Sequence, residues 1–138
     1  MSFWEKGYLA VAAILVLAGG GYFYTVWQQS ITLESVAPPC WSTFGVYLLV
    51  ITVLTLTSVA VLGRVQTINN RTSDIDEMIN LKSRAAASYV TSAAVYASLV
   101  WFLFHGDGSL LFHSTVGALI IGELCLCMLQ VFNYNRAY

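Results

Sequence analysis

Four long apolar runs divide the chain: about Gly7–Trp27, Thr43–Leu62, Ala85–Phe104 and Ser109–Phe132. Each reaches about 20 residues, the length an α-helix needs to cross the roughly 30 Å hydrocarbon core of a bilayer. None contains Lys or Arg, and Glu123 alone puts an acid inside one of them. The pattern predicts an all-α, polytopic membrane protein. Its four transmembrane helices form one bundle and a single domain over residues 1–138, with little chain left for anything else.

The polar positions fix an orientation. The six cations, Lys6, Arg64, Arg71, Lys82, Arg84 and Arg136, all fall on one side of a four-span plan. Cationic connections stay on the cytoplasmic side, so both termini and the middle connection are expected there. Trp4, Trp27, Trp41 and Trp101 fall near the ends of runs, where indole rings suit the membrane–water interface. The first run continues from Gly19–Gly21 into Tyr22, Phe23 and Tyr24, not into a small-residue cleavage site, and is expected to be retained.

The connections differ in kind. About Gln28–Ser42 reads as a loop stopped by Pro38 and Pro39. The second, His105–Gly108, is so short that helices three and four must form an antiparallel hairpin. The middle connection, about Gly63–Arg84, reads as partly helical. Asp74 followed by Glu77 suits a helix N-terminus, Ser73 and Asp76 offer a second register, and Lys82 and Arg84 follow. Helices two and three are therefore expected to extend into the cytoplasm. There Val61, Val65 and Ile68 would meet Ile75, Met78 and Ile79, with Asn69–Thr72 at the tip. Arg64, Arg71, Asp74, Asp76, Glu77, Lys82 and Arg84 make this hairpin a mixed-charge candidate for interaction.

Composition narrows the function classes. The chain is 58 % hydrophobic and 9 % charged, against about 25 % charged in a soluble domain. A net charge of -1 speaks against a nucleic-acid partner. Cys40, Cys125 and Cys127 lie at different depths or on opposing helix sides, and are expected to be packing residues. His105, Asp107 and His113 lack a recognised ligand spacing. No nucleophile elbow, phosphate loop or redox CxxC is present in the sequence. No catalysis, cofactor or metal is expected.

Glu123 is the candidate site. An intramembrane carboxyl is expensive and is by default a functional hypothesis. Its helical stripe continues through Cys127 and Gln130 and is expected to face protein. Thr91, Ser92 and Tyr96 on helix three, and Thr52, Thr55 and Ser58 on helix two, lie at comparable depth. Their hydroxyls would hydrogen-bond a protonated carboxyl, so the acid is expected to hold its proton at rest. The third run also carries many small residues, among them Ala85–Ser88, Ser92–Ala94, Ala97 and Ser98, a surface suited to close helix contact.

The segment Asp74-Ile75-Asp76-Glu77, then Ile79, Lys82 and Arg84, with Gly122-Glu123-Leu124, Gln130, Tyr134 and Arg136, resembles a family of small four-span bacterial membrane proteins. That family has an Asp-Glu-Arg-Asp-type motif before its third span and a Tyr-Arg-Arg-Gly-like tail. Met78 stands where the motif has Arg, and the tail here has one Arg followed by Ala137. The resemblance implies a four-helix protein of the bacterial inner membrane and no particular activity. Two functions stay open. One is a self-associating or accessory subunit of a membrane complex, as a homo-oligomer or with another membrane protein. The other is a minimal proton- or cation-linked channel or transporter using Glu123 at a subunit interface.

Overall fold

The computed structural model describes residues 3–66 and 74–137, and every element in them is an α-helix. These are α1 (Phe3–Leu33), α2 (Trp41–Gln66), α3 (Asp74–His105) and α4 (Gly108–Ala137). Each holds a stretch long and apolar enough to cross a membrane: Gly7–Leu33, Trp41–Ser58, Glu77–His105 and Gly108–Arg136. The chain is an integral membrane protein with four helices of spanning length. Large side chains such as Leu17, Trp41, Leu103 and Phe104 stand exposed on its surface, as lipid as solvent allows.

The helix ends follow from local chemistry. α1 runs to Leu33, past the expected loop start at Gln28, because Gln28–Leu33 holds no Gly or Pro to break it. Ser30 and Thr32 turn their hydroxyls onto the carbonyls of Val26 and Gln28, so neither competes for the chain outside the helix. The helix stops at Glu34, which takes a left-handed conformation with φ 53°. The connection is therefore residues 34–40, shorter than the expected Gln28–Ser42. At the other reversal Gly106 takes φ 67°, and its N–H donates to the Phe102 carbonyl at 2.7 Å. Asp107 then caps α4: its Oδ1 accepts from the N–H groups of Ser109 and Leu110 at 2.9 and 3.2 Å. Such a cap contributes about 1 kcal/mol.

α3 begins at Asp74, where the acidic capping pattern places it, and its 32 residues span about 48 Å. Arg71 lies outside the described residues, as do the side chains of Arg64, Asp74 and Asp76 and the expected pairing of Val61, Val65 and Ile68 with Ile75.

The helices pack in the order α2, α1, α4, α3, with α4 holding both α1 and α3. Neighbours run antiparallel. Along α1 and α4, Tyr8 stacks on Tyr134 and Tyr22 meets His113. Along α3 and α4, Asn80 bonds Gln130 and Ser83 bonds Asn133. One end of the molecule thus carries both termini, and the other carries the two short connections. Alternate glycines of α1 serve different seams. A Cβ at Gly19 would press on Ile120 of α4 at 3.2 Å, and one at Gly21 on the Tyr47 ring of α2 at 3.1 Å. The buried core sits at the connection end: Tyr22, Val26 and Ala37, with Phe44, Tyr47 and Val116 against them.

Candidate functional site

Polar side chains gather at three levels of this apolar frame. At the connection end, His113 of α4 is only 6 % exposed and Tyr22 of α1 only 3 %. The Tyr22 hydroxyl lies 2.8 Å from His113 Nδ1, and His113 Nε2 lies 2.8 Å from the Ala37 carbonyl. The carbonyl can only accept, so Nε2 carries the hydrogen and Nδ1 accepts from the Tyr22 hydroxyl. Ala37 is wholly buried, and its own N–H donates to Ser30 Oγ at 2.9 Å. Phe44 and Tyr47 of α2 meet the Tyr22 ring edge-on. One imidazole thereby ties α1, α4 and the strap between α1 and α2. His113 is thus a buried cross-link with a partner on each ring nitrogen. His105 stacks on Trp101 with centroids 4.3 Å apart, so His105, Asp107 and His113 have separate partners.

Cys40 ends the same strap and is exposed. The Ser42 hydroxyl, at 3.0 Å, and the backbone N–H groups of Thr43 and Ser42 pull its thiol from the ordinary value near 9 down to about 7.

Toward the termini, polar groups bridge α3 and α4. Gln130 is 2 % exposed, and its Nε2 donates to Asn80 Oδ1 at 3.0 Å. The same oxygen accepts from Arg84 Nε, also at 3.0 Å. Asn133 Nδ2 donates to the buried Ser83 hydroxyl at 3.0 Å. Gln130 Oε1 is buried with no hydrogen-bond partner among the described residues. The sequence singled out Gln130 but not Asn80, Ser83 or Asn133. A signal existed: Ile79, Ser83 and Ala87 recur every four residues, and all three are buried.

Between these levels lies Glu123. α3 and α4 are in close contact beside it, because Gly122 has no side chain: a Cβ there would fall on Thr91 Oγ1. Beside this contact the helices leave a groove of about 430 Å³ lined by Arg84, Ala87, Ser88, Thr91, Ser92, Gly122, Glu123 and Leu126. On the other flank, Glu123 borders an apolar cleft of about 210 Å³ with Tyr22, Phe44 and Tyr47 among its walls. Glu123 is exposed at the surface of the chain, while Cys127 and Gln130 of the same stripe are buried. Within the chain, Cys127 and Gln130 of the stripe face protein, and Glu123 opens to the surface.

The hydroxyls near Glu123 are turned elsewhere. Thr91 donates to the Ala87 carbonyl at 2.9 Å and Ser88 to the Ala85 carbonyl at 2.8 Å. Ser92 lines the groove, whereas Tyr96 stands 69 % exposed and does not. Among the described residues no hydrogen bond or ion pair reaches the Glu123 carboxyl. Ala85, Ala86, Ser88, Ser92, Ala93 and Ala97 of the small-residue surface are exposed, and Ala87 is buried against α4. Of the connection residues, Glu77, Lys82 and Arg84 are exposed at the termini end of α3.

No family model, no curated protein and no solved structure matches the chain.

Proposed function

We propose that this protein is a non-catalytic interaction subunit of a membrane complex, associating with itself or with another membrane protein through the α3–α4 face. The observation that carries the reading is the exposed Glu123 carboxyl at mid-span, with small residues around it and no hydrogen-bond or ion-pair partner among the described residues. An acid at this depth costs on the order of 2.5–3.5 kcal/mol when it faces lipid. A face that costs this much alone is offset when another helix covers it. The small exposed residues Ser88 and Ser92 allow that helix to come close. In the same reading both termini and the α2–α3 hairpin lie in the cytoplasm, where the mixed charges of Arg64, Arg71, Asp74, Asp76, Glu77, Lys82 and Arg84 form a second docking element. The one-sided cations support that orientation, and the family resemblance supports a bacterial inner membrane.

The second reading, a minimal proton- or cation-linked pathway, is favoured by one observation: Glu123 borders grooves on both flanks of α4, so a neighbouring subunit would enclose it. Reconstituted protein separates the two. The subunit reading expects no pH- or cation-driven flux that depends on Glu123, and association that weakens when Ser88 and Ser92 are both replaced by Leu. Flux abolished by Glu123→Gln would overturn it.

A further inference from the structure

We infer that the α3–α4 groove receives a single transmembrane helix of a different protein, carrying a Lys or Arg level with Glu123. This deepens the interaction-subunit reading and rests on it. The groove has polar and apolar walls, unlike the apolar cleft on the other flank of α4. Its walls are Ala87, Ser88, Thr91 and Ser92 on one side and Gly122 and Leu126 on the other, with Glu123 at mid-span. Thr91 and Ser88 have spent their hydroxyl hydrogens on carbonyls of their own helix, so they cannot donate to the acid. The Arg84 guanidinium lines the termini end of the same groove, but its Nε is held by Asn80, and Arg84 lies seven residues, about 10 Å, before Thr91. Among the described residues no Lys or Arg forms an ion pair with Glu123.

A second copy cannot supply a countercharge either. Copies related by an axis along the membrane normal keep every residue at its own depth. All six cations of this chain fall outside the four apolar runs. A symmetric neighbour therefore brings Glu123 level with another Glu123 and with no Lys or Arg. Complementary charge at this level must come from a chain of different sequence. Small walls let a helix come close.

The test uses the whole protein in phosphatidylcholine vesicles, labelled for energy transfer to synthetic Leu/Ala transmembrane peptides. One peptide carries a single central Lys, and its control carries Leu there. The Lys peptide is expected to associate about tenfold more tightly, the range of a polar interhelical contact in lipid. Glu123→Gln is expected to abolish that preference. Replacing Ser88 and Ser92 by Leu, at exposed positions, is expected to exclude both peptides. Equal association of the two peptides, or a Lys preference that survives Glu123→Gln, overturns the inference. The broader reading has a separate readout. If the preference fails but the Ser88 and Ser92 replacements still disrupt association of the chain with itself, the charge assignment falls and the interaction subunit stands. If neither peptide binds, the chain stays monomeric and flux requires Glu123, both fall.

Discussion

His113 and Glu123 sit ten residues apart on one helix and have opposite fates. His113 is buried, with a partner on each ring nitrogen, and joins three segments of the chain. Glu123 is exposed at mid-span with no described partner. Both are polar groups in an apolar medium, where an unmet hydrogen bond is costly. The first meets that cost inside the molecule and acts as a fastener. The second has no such partner among the described residues, which is what the proposed docking of another helix would supply.

The sharpest way to break the contrast is His113→Ala. It strands the Tyr22 hydroxyl and the Ala37 carbonyl and leaves a void, so stability should fall by about 3 kcal/mol or more. Steric-trapping measurements of unfolding in bicelles check it; a loss under about 1 kcal/mol would remove the fastener role. Next in size, Gly122→Ala forces Thr91 away from α4 and should cost about 1–3 kcal/mol. Thr91→Ala in the same chain should return part of that loss, read as a coupling energy in a double-mutant cycle. Glu34→Gly relieves the left-handed backbone at the end of α1 and should stabilise by about 1 kcal/mol. That would show that the strap under His113 carries strain.

Glu123→Gln should change the stability of the isolated chain by less than about 0.5 kcal/mol, because no described intramolecular contact is lost. A large loss would make Glu123 a fastener like His113 and end the contrast. The mildest probe is Cys40. With its thiol at about 7, maleimide labelling should rise about tenfold from pH 6 to pH 8 and then level off. A thiol at the ordinary value would rise about a hundredfold over that range. A membrane-impermeant maleimide reports at the same time which side the strap occupies.

Hydrophobic run length made the four helices legible, and the acidic start at Asp74 and the short glycine turn marked where two of them begin or end. The end of α1 was misplaced because Gln28–Leu33 is polar enough to read as loop yet contains nothing that stops a helix. The Tyr22–His113 pair was out of reach: 91 residues separate the partners, and no local pattern encodes which helices meet. The difference between Glu123 and Gln130 was out of reach for another reason. Periodicity assigns one azimuth along the whole helix, and Glu123 and Gln130 share it, being nearly two turns apart. Whether that azimuth is covered depends on the neighbour at each level. Asn80 and Ser83 cover α4 near Gln130, while beside Glu123 the flanking helices leave open grooves.

The packing order has a consequence for how the chain comes together. α1 with α2 is one covalent hairpin, α3 with α4 is another, and among the described residues the two meet chiefly where α1 lies along α4, and also where Ala37 meets His113 and Phe44 meets Phe112. The link from α2 to α3 therefore bridges helices that do not pack on each other. Cutting it would break no interhelical seam and would release only the tethering entropy of a loop, a few kcal/mol at most. The molecule is in this sense a non-covalent dimer of unlike halves that share one polypeptide, each able to enter the bilayer before the other is made.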